Sequence, residues 1–199
     1  LNEQDEHKAA MEKLQAEQKR KIDEARDPGR GLILVHTGDG KGKSSSAFGM
    51  IIRAIGWGHK VGVVQFIKGN WVTGEKQFFD NLGGVDWLTM GEGFTWNTQD
   101  RERDIATAEA AFAKAREMME SGDYDLLVLD EINIALQYDY LPIETVLDGL
   151  KARSDRTSVV LTGRDAKPAL CEYADLVSEM REVKHPFKAG IKAQRGIDF

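Results

Sequence analysis

A chain of 199 residues with 41% hydrophobic side chains can bury one substantial α/β core, so a single domain is the default. The net charge of −6 gives no overall basic footprint for nucleic acid, although a local basic groove stays open. The single cysteine, Cys171, excludes an internal disulfide, and with no apolar run near ~20 residues and no signal-peptide pattern the expectation is a cytoplasmic protein without a membrane span.

Residues 1–27 are rich in Glu, Lys, Gln and Ala and hold no Gly or Pro, which favours helix. Their apolar residues, Met11, Leu14, Ile22 and Ala25, are too sparse for a core face. The segment reads as an N-terminal helical arm, either solvated or docked on its own active site or on a partner subunit. Pro28-Gly29-Arg30-Gly31 punctuates the boundary to a domain at 28–199. The apolar run Leu32–Val35 reads as the first strand. Thr37–Ser46 follows, reading Thr-Gly-Asp-Gly-Lys-Gly-Lys-Ser-Ser-Ser. Phe48, Ile51, Ile52 and Ile55 then repeat at the i, i+3, i+4, i+7 spacing of a buried helix face.

Strand, glycine-rich turn, lysine, hydroxyl and helix is the build of a phosphate-binding loop. Glycines let backbone N–H groups close around phosphate oxygens, and the helix N-terminus adds partial positive charge. Gly38, Asp39, Gly40, Lys41, Gly42, Lys43, Ser44 and Ser45 form the candidate cradle, with Lys43 reaching the phosphates and the Ser44 hydroxyl binding a Mg²⁺ or Mn²⁺ ion. The register is one residue short of the general motif, because the position of its first glycine is Thr37 and Gly38 comes one place later.

Gly56-Trp57-Gly58 ends this helix, Val61–Ile67 reads as a second strand and Val85–Met90 as a third. Gly91–Asn97 is a loop carrying Phe94 and Trp96 between turn-formers. From spacing alone such a pair more often packs into a core, while the flanking glycines favour exposure to a ligand. Ile105, Ala108, Phe112, Ala115 and Met119 trace a long helix closed near Gly122. The continuous apolar run Leu126–Leu129 suits a strand buried on both faces and delivers Asp130-Glu131 at its C-terminal end. After a phosphate loop, that acid pair suggests metal binding; helix capping, or a Glu131 that positions a water for ATP hydrolysis, are the other readings. Pro142 opens a helix with Ile143, Val146, Leu147 and Leu150 inward, Ser158–Leu161 is a fifth strand ending in Thr162-Gly163-Arg164, a helix runs through Leu170, and Leu176–Val183 is the last strand. This alternation argues a parallel sheet wrapped by helices. Ligands then sit beyond the carboxyl ends of the strands, which puts the loop, Phe94 and Trp96, Asp130, Glu131 and Arg164 on one rim. The four histidines have no metal-ligand spacing, Cys171 reads as a small core residue, and no nucleophile stands beside a base.

The loop Gly38–Ser44 resembles that of the ATP:corrinoid adenosyltransferases, and the likeness extends over nearly everything after residue 30. Val64–Gly69 with Thr73-Gly74-Glu75, Gly91–Trp96, Leu129-Asp130-Glu131, Thr162-Gly163-Arg164, Ala174–Met180, Lys184-His185-Pro186-Phe187 and Ala189–Ile197 are all similar to that family's segments, in order. The departures are Asp39 for an asparagine, Ser44-Ser45-Ser46 for paired threonines and Trp57 for a histidine. The resemblance implies a P-loop NTPase-like (RecA-like) α/β fold and a homodimer. It also implies a reaction in which cobalt(I) of a corrinoid attacks the 5′ carbon of ATP and expels triphosphate, with Arg164 among the ATP contacts, Phe94 and Trp96 facing the corrin's lower side, and an electron donor such as a flavoprotein. Cobalt(I) is a powerful nucleophile, which agrees with the lack of an evident general base. Two other functions fit the same residues: a P-loop ATPase or kinase, and a nucleotide-gated corrinoid-delivery protein without chemistry.

Overall fold

The computed structural model describes residues 3–66, 73–89 and 100–198. The arm is a helix, α1 (Glu3–Glu24), with no buried residue. There follow β1 (Ile33–Thr37), α2 (Lys43–Gly56), β2 (Val61–Gln65), α3 (Gly74–Leu82), β3 (Val85–Thr89) and α4 (Arg101–Ser121). The chain continues through β4 (Leu126–Asp130), α5 (Ile132–Gln137), α6 (Ile143–Ala152), β5 (Ser158–Thr162), α7 (Pro168–Tyr173) and β6 (Leu176–Glu179). The described strands form one sheet in the order β3-β2-β4-β5-β1-β6, and every neighbouring pair is parallel. This is the helix-flanked parallel sheet that the alternating pattern predicts.

Strand parity builds two cores. Ile33, Val35, Leu127, Leu129, Val159 and Leu161 face the layer that includes Phe112, Met119 and Leu150 from α4 and α6. Leu34, Val128 and Val160 face α2 and α3 through Phe48, Ile51 and Phe79. Central strands buried on both faces need unbroken apolar runs, whereas β3 and β6 at the sheet edges are only partly covered. At the opposite end from the loop, Arg30 pairs with Asp175 at 2.7 Å, and the same carboxylate accepts the Ile33 N–H at 2.8 Å, so the entry to β1 is pinned to the start of β6.

Two expectations change, and two helices are added to those expected. The buried arc of α2 is Ala47, Phe48, Ile51 and Ala54; Ile52 is 57% exposed and Ile55 only partly covered. A helix lying on a flat sheet buries a narrow stripe, and Ile52 falls beyond its edge. Helix α3 is an addition, held by buried Phe79 and by Thr73, whose hydroxyl accepts the Lys76 N–H at 3.4 Å. The short α5 directly after the acid pair is a second addition, with too few residues to show a period. Finally, β6 stops at Glu179 rather than Val183, because Met180 turns inward to pair with the loop after β1. Among the described residues no helix is long and apolar enough to cross a membrane.

Candidate active site

The loop between β1 and α2 is closed by backbone. Met180 donates its N–H to the Thr37 carbonyl at 2.8 Å, and its own carbonyl accepts the Gly40 N–H at 2.6 Å. A Cβ on Gly40 would lie 2.7 Å from that carbonyl oxygen, and one on Gly38 would lie 2.6 Å from it. Both positions therefore need glycine for close approach, and Gly38 also needs it for its φ of 93°. Gly42, at φ 111°, caps α2 without a side chain, which leaves the helix N-terminus open.

Lys43 opens α2, is 7% exposed, and donates from Nζ to the Gly40 carbonyl at 2.6 Å. Burial pulls its ammonium below the usual range; Glu131 and Asp39 favour the charge, while Arg164 and Lys41 oppose it. Ser44 is half-buried and Ser45 exposed. Beneath them Ser46 Oγ donates to the Lys43 carbonyl at 2.9 Å, leaving its lone pairs to His36 Nδ1 at 2.8 Å. That arrangement selects the Nδ1–H tautomer of His36, whose pKa burial holds below its usual range. On the outer side Lys41 pairs with Asp198 at 2.7 Å. The same tail places Gly196 and Ile197 in a hollow of about 420 Å³ beside Ser45, Phe48, Ile52 and Phe78.

The end of β4 lies across from the loop. Asp130 is buried and accepts from Thr162 Oγ1 at 2.8 Å and from Gln65 Nε2 at 3.0 Å. Glu131 takes a left-handed backbone, φ 61°, and its N–H bonds Thr162 Oγ1 at 2.9 Å. Its carboxyl is pushed up to about 7, first by burial and then by Asp130, against the pull of Lys43 and Arg164. A Cβ on Gly163 would come within 3.2 Å of Glu131 Oε2 and 2.8 Å of Asn133 Cβ, so the Thr162-Gly163-Arg164 turn packs directly on the acid. Arg164 is exposed on the rim of a second hollow, about 510 Å³, shared with Asp39, Glu179, Arg181, His185 and Lys188.

The structure thus gathers Gly38–Ser45, Asp130, Glu131 and Arg164 at the carboxyl edge of one sheet. Phe94 and Trp96 lie outside the described residues. Sequence reasoning missed Gln65, Thr162, Met180 and Asp198 as participants. Gln65 carried a signal, since an amide ending a fully buried strand needs a partner. The described residues contain no cluster of three His, Cys, Asp or Glu side chains able to hold a metal by themselves. The donors at the loop are oxygens, the Ser44 hydroxyl and the Glu131 carboxylate, a set that suits a hard divalent cation completing its shell with phosphate oxygens and water.

Comparison with known proteins gives a consistent result. The family model described as ATP:corrinoid adenosyltransferase BtuR/CobO/CobP matches residues 29–199. A corrinoid adenosyltransferase of Pseudomonas aeruginosa is 56% identical over 194 residues, covering 97% of this chain and 95% of its own. One from Sinorhizobium is 52% identical over 195 residues, 96% of this chain and 87% of its own. One from Escherichia coli K12 is 48% identical over 170 residues, 85% of this chain and 86% of its own. The buried loop lysine, the acid pair and the arginine turn all fall inside the matched span, and the chain belongs to the ATP:corrinoid adenosyltransferase family.

Proposed function

We propose that this chain transfers the 5′-deoxyadenosyl group of ATP to cobalt(I) of a corrinoid and releases triphosphate, in adenosylcobalamin biosynthesis or corrinoid salvage. Cobalt donates an electron pair to the 5′ carbon, the C5′–O bond breaks, and its electrons leave on the triphosphate. The nucleophile needs no deprotonation, so the enzymatic task is to hold the ribose carbon in line and to stabilise the leaving charge. The observation that carries this reading is Lys43: a buried ammonium at the open N-terminus of α2, facing an acid and an arginine on the same sheet edge. Loop N–H groups, Lys43, Lys41 and Arg164 would take the triphosphate oxygens. Ser44 and Glu131 would hold a Mg²⁺ or Mn²⁺ ion; Asp130, expected from the sequence to share that role, has its oxygens engaged by Thr162 and Gln65 and would act from behind them. When bound, that ion neutralises part of the triphosphate charge.

Phe94 and Trp96 would present an apolar face to the corrin, offering cobalt no axial ligand and easing reduction of Co(II) to Co(I). An electron donor such as a flavoprotein would supply that electron. The exposed arm α1, with Met11, Leu14 and Ile22 uncovered, supports a homodimer in which the arm docks on the active site or on the second copy. Product analysis with ATP and chemically reduced corrinoid tests the reaction. Triphosphate and a cobalt–carbon bond are expected; ADP with phosphate would make the chain an ATPase or kinase, and no turnover a delivery protein.

A further inference from the structure

Gln65 ends β2 at 4% exposure, in a strand buried on both faces. A carboxamide there costs stability unless its polar groups are paired, and both its oxygen and its nitrogen are. Trp87 Nε1 and Thr89 Oγ1 donate to Gln65 Oε1 at 3.0 and 3.2 Å, and Gln65 Nε2 donates to Asp130 Oδ2 at 3.0 Å. The indole can only donate, and its ring is held by Phe48 and Phe79 at centroid distances of 5.3 and 5.8 Å. It therefore sets the amide orientation, with oxygen toward β3 and nitrogen toward β4.

From the other side Thr162 Oγ1 donates to Asp130 Oδ1 at 2.8 Å and in turn accepts the Glu131 N–H at 2.9 Å. Every donor in this chain across β3, β2, β4 and β5 runs toward Asp130, whose two oxygens are both occupied by protein groups. Asp130 is the fixed point, and the residue it leaves facing the loop is Glu131. The left-handed backbone of Glu131 is uncommon for a side chain with a Cβ and persists only where its surroundings hold it. Its N–H bond to Thr162 Oγ1, with the Ile134 N–H donated to its carbonyl at 3.2 Å, restrains that turn.

We propose that Gln65 is a positioning residue for adenosyl transfer: through Asp130 and Thr162 it holds the Glu131 carboxylate against the phosphate loop. This rests on the function proposed above. A glutamine that merely filled volume would be replaceable by an apolar side chain of the same length, and the two roles separate in a double-mutant cycle. The variants are Gln65→Met, Glu131→Ala and their combination, assayed with corrinoid supplied as Co(I) and saturating ATP. Gln65→Met alone should lower kcat by about ten- to a hundredfold, the scale of a lost hydrogen bond to a charged group. KM for ATP should stay within about threefold, because the loop and Lys43 are untouched. In the Glu131→Ala background the same change should cost less than about threefold, since no carboxylate remains to be placed. Equal loss in both backgrounds would overturn the inference and leave Gln65 a structural residue. Thr162→Val enters the same chain from its other end, so should Gln65→Met fail to fold, the cycle of Thr162→Val with Glu131→Ala decides between the same two outcomes. Adenosylcorrinoid formation by the unaltered enzyme in that assay reports on the function, and the cycle alone reports on Gln65.

Discussion

Replacing Lys43 by alanine separates the electrostatic account of this site from a structural one. The ammonium is 7% exposed and sits 2.6 Å from the Gly40 carbonyl, so little water screens it from a phosphate held in the loop. A unit charge about 4 Å from a phosphate oxygen is worth about 4 kcal/mol at an effective dielectric near 20. Only the part that grows as the C5′–O bond breaks accelerates the reaction. The leaving group gains roughly one negative charge, shared among Lys43, the loop N–H groups, Lys41, Arg164 and any bound cation. A share of about 2.7–4 kcal/mol for one such donor corresponds to about 10²–10³ in turnover. Stability should move the other way or not at all, because burial already disfavours this ammonium and alanine removes that penalty. The assay supplies corrinoid as Co(I) with saturating ATP, follows cobalt–carbon bond formation and triphosphate together, and records Tm in parallel. Lys43→Arg should be nearly as inactive despite its charge, since a planar fork does not fit a pocket built around a point donor. Turnover of Lys43→Ala within a few-fold of the parent, or a fall in Tm matching the lost activity, would refute the reasoning.

Three further outcomes are expected. The Glu131 carboxyl, raised from 4.5 to about 7, costs the ATP-free and cation-free protein stability that is intact below pH 4.5 and progressively lost up to pH 7. Glu131→Gln should therefore melt above the parent by a margin that opens across that interval, and a margin flat in pH would contradict it. Phe94→Ala with Trp96→Ala should largely abolish activity from Co(II) with a mild reductant and spare much more of it from Co(I). Equal loss in both assays with folding intact would remove their electronic role. The Lys41–Asp198 pair occupies a loop lysine with the chain's own tail, so Asp198→Asn should tighten ATP binding by about two- to fivefold, whereas weaker binding by calorimetry would mean that the pair holds Lys41 in place for the phosphate.

The parts of this site legible in the sequence are those whose physics is local. Glycines between an apolar run and a helical period announce a phosphate loop, because strand, turn and helix must be contiguous to make one. Asp130 and Glu131 announce themselves because a strand buried on both faces ends at charge. The length of α4 was readable from Ala108, Phe112, Ala115 and Met119, all buried as their spacing predicts. The α2 face was only half readable: a period defines an arc, and which edge of that arc meets the sheet depends on the partner layer, which put Ala47 and Ala54 inside and Ile52 out.

What stayed hidden is held by contacts between distant parts of the chain. Gln65 and Asp130 are 65 positions apart, and Glu131 is 31 from the Thr162 hydroxyl that fixes its backbone. An amide that ends a buried strand signals that it needs a partner, but which partner becomes legible only once parallel register sets Gln65 beside Asp130. Met180 is the extreme case, because its contribution is backbone. Its carbonyl closes the loop on Gly40, and its side-chain identity plays no part in that bond. The evidence for it in the sequence is displaced onto the other partner, as glycine at 38 and 40, where any Cβ would strike the Met180 carbonyl. A glycine thus records that something approaches closely without recording what does, and only the fold supplies the second half of that statement.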